Sequence, residues 1–389
     1  MKLAVVSHKL CWSSPQTPEN YQTDGGFPLQ IKAISELFDE TKVIVPCEKM
    51  TNLEGTSPLA GRNLRIQPLS LPKGEGLRRK LAIPLWLLKN GRIIWREVRA
   101  ADAVHAAIPG DVGTVGMVFA LLLKKPLFVR HCGNWLIPRT AAEHLWKWLM
   151  EKFAGGRNVM LATGGNEIAP SEINANIKWI FSTSLSQKEI SVAVPRQFPE
   201  TGELKLIIAC RQEKEKGAVI VIESLPKILK KFPNATLDVV GDGSFLKKLK
   251  EQAKTLNLEN KITFHGKVKH SRVVELMKQA HVFCFPTSAS EGFPKVVLEA
   301  LACGLPVVTT RVSVLPQLIK KDFGVLLDAP NAVELAAAVE TICADASQYN
   351  HKSAAAIAVA QNYSLENWRD FIGENLRQSW RVSSLSSAV

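Results

Sequence analysis

Two glutamates stand with seven residues between them in EGFPKVVLEALACGLPVV, residues 291–308. Pro294 suits the first turn of a helix, because its missing N–H would have no partner there. A helix that begins at about Phe293 places Glu291 in the preceding loop and Glu299 about a turn and a half inside. The two carboxylates can then accept hydrogen bonds from separate hydroxyl groups of one ligand, and the helix start favours an anion. In the alternative, Glu291 only caps the helix and Glu299 is solvated.

Two cations follow an earlier apolar run. Arg211 comes directly after KLIIAC, and Lys216 with Gly217 opens the next helical pattern. Two cations at the end of one strand suit a diphosphate, because both can donate charged hydrogen bonds to its oxygens. In the alternative they are surface charges among Glu213 and Glu215.

These side chains need a scaffold, and the chain alternates short β-branched runs with helical patterns. The runs are LAVVS, KVIVP, AVHAA, LFVRH, KLIIAC, TLDVVG, KITFHG, HVFCFP, PVVTT and GVLLD. Such alternation predicts right-handed βαβ units and parallel sheets. The irregular stretch 182–203 predicts a linker. We therefore expect an α/β protein of two doubly wound, Rossmann-like domains facing a central cleft, with ligands beyond the carboxyl ends of the strands.

The predicted domain bounds follow from that linker. We expect residues 1–195 to form the N-terminal domain and residues 196–364 the C-terminal domain. Residues 365–389 contain a last helical pattern and a tail.

Composition narrows the classes of protein further. The chain has 389 residues, of which 46% are hydrophobic and 22% are charged, and its formal net charge is +13. Its seven cysteines are widely spread without any C-x-x-C, which predicts a reducing cytosol and neither a disulfide framework nor a zinc site. No Asp-x-Asp occurs, so we expect no metal. The expected location is cytoplasmic, with the option of peripheral attachment to a membrane.

The motifs from Arg211 onward resemble those of the retaining glycosyltransferases of family 4, which have the GT-B fold. The resemblance is strongest over residues 203–365. It rests on the strand-end Arg with Lys-Gly five residues later, the GDG turn at 241–243, FHGKV at 264–268 and the E-x7-E motif at 291–299. Two positions depart from the family pattern, because Cys210 and Pro294 stand where glycine is common.

The resemblance implies a role for each motif residue. The catalytic group comprises Glu291 at the donor sugar and Arg211 and Lys216 at the diphosphate. Glu299 holds the ribose hydroxyls. The remaining donor-binding residues meet the base, the sugar or the phosphates; they are Gly241, Lys267, Val268, Gly292, Phe293, Pro294 and Lys295.

The same resemblance implies that residues 1–195 bind the acceptor, that residues 196–364 bind the nucleotide sugar, and that the helix in residues 365–389 crosses back to the first domain. It also assigns residues of the first domain. Gly25 and Gly26, between the first strand and its helix, face the donor phosphates, and glycines allow close backbone approach. His131 at the end of LFVRH touches the donor sugar near the reacting carbon and joins the catalytic group. In the alternatives the glycines form a plain turn and the histidine is structural.

Positive charge is concentrated in residues 62–99, where ten Lys and Arg side chains stand against Glu75 and Glu97. Pro84 and Gly91 predict that residues 77–99 form two helical pieces. A basic face and an apolar face recur at helical spacing; they consist of Lys89, Arg92, Arg96 and Arg99, and of Leu81, Leu85, Leu88 and Trp95. This pattern is typical of binding to an anionic membrane or to an acceptor with a lipid tail. In the alternative the helix packs on the sheet and its cations are solvated.

The resemblance implies a retaining, metal-independent hexosyltransferase without a cofactor. It moves a hexose from a nucleoside-diphosphate sugar, which we expect to be a UDP-sugar. The acceptor is a glycan, a lipid-linked molecule or a small molecule, and the expected process is the biosynthesis of the cell envelope or of polysaccharides. The alternatives are a nucleotide-sugar epimerase of the same architecture, a sugar phosphorylase, and a non-enzymatic basic protein that binds nucleic acid. We expect no nucleic acid partner, because the basic residues interleave with Leu and Ile and form no known module.

Overall fold

The structure is a computed structural model, and it describes residues 1–14, 17–50, 56–72, 74, 76–138, 140–165, 168–198, 203–289 and 292–386. The chain divides into two units, Met1–Ser184 with Leu365–Val389, and Leu185–Ser364. The boundary thus lies before the predicted 195/196, because Leu185 and Ile190 already pack into the core of the second unit.

The elements follow one another in the order that the alternating pattern predicts, with additions. The first stretch contains β1 (Lys2–Val6), β2 (Cys11–Ser14), β3 (Thr17–Thr23), α1 (Phe27–Ser35), β4 (Glu40–Lys49), β5 (Ser57–Pro58), β6 (Leu64–Leu69), α2 (Gly76–Ala100), β7 (Ala103–Ile108), α3 (Asp111–Leu122), β8 (Leu127–His131), α4 (Ala141–Phe153), β9 (Asn158–Thr163) and β10 (Ile177–Ile180). The second contains α5 (Gln187–Ser191), β11 (Lys205–Ala209), α6 (Ala218–Lys231), β12 (Thr236–Val240), α7 (Leu246–Thr255), β13 (Ile262–Gly266), α8 (His270–Gln279), β14 (Val282–Phe285), α9 (Lys295–Ala302), β15 (Val307–Thr310), α10 (Leu315–Leu318), β16 (Gly324–Leu327), α11 (Ala332–Ile342) and α12 (Ala346–Ala360). The last helix is α13 (Leu365–Trp380).

The sheet of the first unit has the order β10-β9-β8-β7-β1-β4-β2-β3-β5, and β6 also pairs with β4. Its central strands are parallel and buried on both faces, so β7 is buried at all six positions. Helices α1 and α13 cover one face through Ile31, Ile34 and Trp368. Helices α2, α3 and α4 cover the other through Ile94, Met117 and other side chains. The hairpin β2–β3, which the alternating pattern does not predict, stands between β1 and α1.

The sheet of the second unit is wholly parallel, in the order β13-β12-β11-β14-β15-β16. One face carries α6 and α11 through a core that includes Val221 and Val339. The other carries α8, α9, α10 and α12 through Met277, Leu301 and neighbouring side chains. Each unit therefore has helices on both faces of a largely parallel sheet. The predicted α/β fold with two doubly wound, Rossmann-like domains is confirmed.

Helix α2 is continuous from Gly76 to Ala100, so the prediction of two pieces was wrong. Pro84 is exposed, and the carbonyl that loses its partner there can turn to water. The helix beyond it is anchored to one loop residue, since the Trp86 indole donates to the Ser70 carbonyl at 2.7 Å and the Asn90 side chain bonds the Ser70 amide and hydroxyl. The side chain of Leu81 lies outside the described part of α2.

Candidate functional site

The loop after β11 carries the two predicted cations of the second unit. Arg211 is exposed, and Lys216 ends a short 3₁₀ turn, Lys214–Lys216. Burial lowers the pKa of Lys216, and the charge of Arg211 lowers it further, so the two cations lie within electrostatic range of each other. Gly217 then opens α6 in the left-handed region, where a Cβ would lie 2.2 Å from the Pro286 carbonyl oxygen.

The loop after β12 packs backbone to backbone against that first loop. Gly241 has a φ of +115°, and a Cβ there would lie 1.9 Å from the Cys210 carbonyl oxygen. The buried Gln212 joins the two loops, because its Nε2 donates to the carbonyls of Cys210 at 3.1 Å and Val240 at 2.8 Å. Glycine at 241 is therefore required by packing. Its predicted contact with a ligand stays a prediction.

The loop after β14 is tied to the turn that carries Lys216. The Glu215 carbonyl accepts hydrogen bonds from the Ser288 amide at 2.8 Å and the Thr287 hydroxyl at 3.1 Å. The Thr287 carbonyl in turn accepts a hydrogen bond from the Thr310 hydroxyl at the end of β15. This loop leads to Glu291, which lies outside the described residues. Its predicted role at the donor sugar stays a prediction.

Helix α9 begins at Lys295, two residues after the predicted start at Phe293. Pro294 is the N-cap, with an extended ψ of 92°, and its carbonyl accepts the first helical bond from the Val297 amide at 3.0 Å. Pro294 was predicted to lie inside the first turn, but it stands one position before the first helical residue, so this prediction was wrong. Gly292 and Phe293 are half-buried before the helix, and the Phe293 ring lies 6.0 Å from the Tyr363 ring.

Glu299 points its carboxylate at a histidine, His270, that belongs to none of the motifs in the sequence. Only 8% of Glu299 is exposed, and its Oε1 lies 3.1 Å from Nε2 of His270, the first residue of α8. The hydrogen bond to Glu299 raises the pKa of His270 above its ordinary value of 6.5. Glu299 is therefore not the solvated side chain of the alternative interpretation. His270 follows FHGKVK directly, and that position is the one signal in the sequence that points to it.

Lys267 and Val268 follow β13 at the edge of the same sheet. Gly266 ends the strand with a φ of +64°, and Lys267 behind it is exposed. Val268 is half-buried against the core that α8 and α9 share. Because all six strands are parallel, the loops after β11, β12, β13 and β14 lie at one edge of the sheet. The fold thus brings the predicted residues of the second unit that the structure describes to one edge.

Gly25 and Gly26 form the turn into α1 in the first unit. Gly25 has a φ of +69°, and no heavy atom lies within 4 Å of a Cβ built on it. Gly26 is the N-cap of α1, and its carbonyl accepts from the Gln30 amide at 3.2 Å. An ion pair between Lys9 and Asp24 holds the residue before the turn. The space that a side chain at position 25 would fill is therefore open, and the ligand-binding role of the two glycines stays a prediction.

His131 ends β8, with 2% of its surface exposed. Burial lowers its pKa to about 4, so the ring is neutral at pH 7. Its ring meets Trp135 edge-on at 5.3 Å, and its Nδ1 has no hydrogen-bond partner among the described residues. The adjacent Arg130 is buried on the opposite face of the strand, where it donates to Gln30 at 2.9 Å and stacks on Trp368 at 5.0 Å.

Neither a metal-binding cluster nor a membrane-spanning helix occurs in the described ranges. Within them, no three His, Cys, Asp or Glu side chains gather in a group that could hold a metal ion. Each helix in these ranges is too short or too polar to span a bilayer.

Part of the amino-acid sequence is similar to that of known glycosyl transferases. Residues 193–359 match the family model described as "Glycosyl transferases group 1". A phosphatidylinositol N-acetylglucosaminyltransferase subunit of Arabidopsis thaliana is 32% identical over 142 residues, which are 36% of this chain and 31% of that protein. Phosphatidyl-myo-inositol mannosyltransferase of Mycobacterium tuberculosis is 32% identical over 113 residues, 29% of each chain. The chain thus spans about a third of the length of these relatives.

A solved structure is similar over nearly the whole chain. The crystal structure of Anabaena Alr3699/HepE in complex with UDP covers 97% of this chain and 100% of that chain, with a TM-score of 0.69 and 19% sequence identity. The similarity shows the fold: the chain has the GT-B architecture of two Rossmann-like domains.

Proposed function

We propose that this protein is a retaining glycosyltransferase of family 4 that moves a hexose from a nucleoside-diphosphate sugar to an acceptor. The observation that carries the proposal is the arrangement at one edge of the second sheet. There, the cations Arg211 and Lys216 follow β11, and the buried carboxylate of Glu299 lies in α9. The match of residues 193–359 to group 1 glycosyl transferases supports the same function for this half of the chain.

In this proposal the diphosphate is the leaving group, and its charge grows as the anomeric C–O bond breaks. That charge is stabilised by Arg211, Lys216 and the amides at the start of α9. Such stabilisation by fixed hydrogen-bond donors and charges is usually the largest single contribution to catalysis. They do the work that a divalent metal does in other transferases, so we propose a metal-independent reaction without a cofactor. Glu291 positions the sugar, and the base meets the backbone at Lys267 and Val268.

The remaining assignments belong to the same proposal. Glu299 accepts hydrogen bonds from the ribose hydroxyls, and His270 must release it when the donor binds. Gly241, Gly292, Phe293, Pro294 and Lys295 surround the sugar and phosphates. From the first unit, His131 contacts the sugar, and Gly25 with Gly26 contacts the phosphates.

We further propose a UDP-sugar as donor and a lipid-linked or glycan acceptor of the cell envelope. The UDP complex of Anabaena Alr3699/HepE, a protein of the same fold, supports the donor. The names of the Arabidopsis and Mycobacterium relatives, both of which specify phosphatidylinositol substrates, support a lipid acceptor. Such an acceptor lies in a membrane surface, and we propose that the protein works at the cytoplasmic face.

Helix α2 offers the surface for such attachment. Lys89, Arg92, Arg96 and Arg99 surround Ile93 and Trp95 in an open groove of about 730 Å³. One turn earlier, Leu85 is 72% exposed and Leu88 81% exposed. Cations that flank exposed apolar side chains on one helix are typical of binding to an anionic bilayer surface, where each cation near the surface contributes about 1 kcal/mol.

The charge-reversal variant Lys89/Arg92/Arg99→Glu tests the membrane contact. It leaves Arg96 in place, because Arg96 donates to the buried Glu97 at 2.7 Å. The matched control reverses three exposed lysines of the second unit, Lys230/Lys247/Lys254→Glu. We expect that vesicles of phosphatidylglycerol and phosphatidylcholine sediment the wild type and the control but not the α2 variant. Equal sedimentation of both variants would contradict a role for α2.

A panel of nucleoside-diphosphate sugars, with and without EDTA, tests the donor site through thermal stability. A donor at about a hundred times its Kd stabilises the folded state by about 2.7 kcal/mol. We expect one donor to raise the melting temperature regardless of EDTA. The increase should vanish in Glu299→Ala and Arg211→Ala and persist in Arg272→Ala, which removes an exposed arginine of α8. A panel without any effect would contradict the proposed site, and an effect that EDTA abolishes would contradict metal independence.

A further inference from the structure

Two cysteines stand opposite each other on neighbouring strands of the first unit. Cys11 begins β2, Cys47 lies in β4, and the two are register partners in a parallel pair. Neighbouring strands lie about 4.7–4.9 Å apart, inside the Cα–Cα range of about 4.4–6.8 Å that disulfides span. Register partners on parallel strands project to the same face, and both side chains pack against the same core. The backbone spacing at this pair therefore falls within the range that a disulfide can span.

The two thiols differ in access and in acidity. Cys11 is fully buried, whereas Cys47 is partly exposed. The neighbouring Cys11 thiol lowers the pKa of Cys47, and the neighbouring Cys47 together with burial raises the pKa of Cys11. The Cys11 thiol donates to the Lys9 carbonyl at 3.9 Å and the Cys47 thiol to the Val45 carbonyl at 3.5 Å. Cys47 is thus the sulfur that a reagent from solvent reaches and the one that ionises first. Cys284 and Cys343 also lie within electrostatic range of each other, but both are buried.

We propose that Cys11 and Cys47 form a reversible redox site that closes into a disulfide. The Cys47 thiolate attacks a low-molecular-weight disulfide, which forms a mixed disulfide and releases one thiolate. The Cys11 sulfur then attacks the Cys47 sulfur, and the second small thiolate leaves. The two protons of the protein thiols go to the released thiolates. Two protein thiols are oxidised, and one small disulfide is reduced to two thiols.

The crosslink has a definite structural consequence. Strand β2 carries the hairpin β2–β3, and the Thr23 hydroxyl at the end of this hairpin donates to the Leu10 carbonyl at 2.7 Å. The next residue, Asp24, pairs with Lys9 and precedes the Gly25 turn. A disulfide would therefore fix the hairpin and the entry to α1 onto β4, which reduces the motion of that whole segment.

Oxidised glutathione added to the native full-length protein tests this redox site without any variant. Lys32 and Lys42 lie between the two cysteines, so trypsin separates them onto different peptides. We expect the intact mass to fall by two hydrogens, a crosslinked peptide pair that contains Cys11 and Cys47, and full reversal by dithiothreitol. Backbone amides of β2 and β3 should exchange more slowly in the oxidised protein. The buried Cys284 and Cys343 should remain reduced.

Variants provide the matched controls. Cys47→Ser should abolish the mass loss, whereas Cys132→Ser, at an exposed cysteine, should leave it intact. A stable glutathione adduct on Cys47 with Cys11 still reduced would overturn the proposal, and so would a crosslink through any other cysteine. Because the peptide map of the wild type decides the question alone, a folding defect in a variant does not affect the conclusion.

Discussion

Replacing Glu299 by glutamine removes the buried carboxylate of α9 while it keeps the size of the side chain. In the free protein this carboxylate accepts a hydrogen bond from His270 at 3.1 Å, and in the proposed complex it accepts from two ribose hydroxyls. The variant tests both contacts at once. Glu275→Gln, on the exposed face of α8, is the matched control, because it removes a carboxylate whose partner is the surface residue Arg272.

The expected loss of affinity follows from the strengths of these hydrogen bonds. A hydrogen bond to a charged group contributes about 1.5–3 kcal/mol and a neutral one about 0.5–1.5 kcal/mol. Glutamine keeps a neutral acceptor, so two ribose hydroxyls together lose about 2–3 kcal/mol. The donor no longer has to displace His270, and an ion pair whose histidine is about half exposed contributes about 0–1 kcal/mol. The balance of about 2 kcal/mol corresponds to a roughly 30-fold higher Kd.

The pH dependence of binding supplies a second readout. The pKa of His270 is raised above 6.5 by Glu299, so at lower pH the protonated ring holds the carboxylate, and the proton leaves as the pH rises through the raised pKa. Wild-type affinity should therefore increase with pH across the range of about pH 5 to 8 in which histidine titrates. UDP-glucose is the suitable ligand, because its diphosphate diester does not itself titrate there. The variant should lose this dependence.

Isothermal titration calorimetry with UDP-glucose measures both effects. Binding of UDP-glucose to Glu299→Gln within about twofold of the wild type would contradict the proposed contact with the ribose, and so would an equal loss of affinity in Glu275→Gln. An unchanged pH profile in Glu299→Gln would show that His270 does not compete with the donor for this carboxylate.

Three further predictions concern stability. Gly241→Ala should lower the free energy of unfolding by about 3 kcal/mol or more, because its Cβ would lie 1.9 Å from the Cys210 carbonyl oxygen. Gly25→Ala should lower it by only about 1–2 kcal/mol, because no atom lies within 4 Å of the added Cβ. Urea denaturation that ranks the two variants the other way would contradict this prediction. Burial lowers the pKa of His131 to about 4, so the histidine is protonated at higher pH in the unfolded state than in the folded state. The free energy of unfolding of the wild type should therefore fall by up to about 3 kcal/mol as the pH drops from 6.5 towards 4. His131→Asn should remove this part of the acid sensitivity, and an unaltered dependence of stability on pH would contradict a buried neutral ring. Pro84→Ala should raise the free energy of unfolding by about 1–3 kcal/mol, because it restores a hydrogen bond inside α2. Thermal unfolding measures this, and a lower melting temperature of the variant would show that contacts of the proline ring stabilise the fold.

The alternating pattern of apolar runs was enough to predict the strands at which the site residues stand. Parallel strands buried on both faces have a strong hydrophobic signature, and the loops at their carboxyl ends follow from the topology. Arg211, Gly241 and Lys267 could therefore be placed at one edge of a sheet from the sequence alone. The bounds of the helices were less accessible, as the start of α9 at Lys295 and the unbroken α2 show.

What the sequence could not predict depends on contacts between distant segments. The hairpin β2–β3 has few apolar residues, so its strands have no clear periodic signal. The anchoring of α2 beyond Pro84 depends on Trp86 and Asn90 meeting Ser70, a tertiary contact that overrides the local tendency of proline to break a helix. The pairing of His270 with Glu299, and that of Cys11 with Cys47, arises only once separate elements pack side by side.

The most direct test of the proposed function is to follow the donor by proton NMR during slow turnover in the presence of EDTA. Purified protein with UDP-glucose, or with the donor that the thermal panel selects, should release UDP and a sugar whose first-formed anomer has the configuration of the donor. Glu299→Ala and Arg211→Ala should release neither product. Release of the opposite anomer first would contradict a retaining reaction. An intact donor under all conditions, with every acceptor class supplied, would contradict the assignment as a glycosyltransferase.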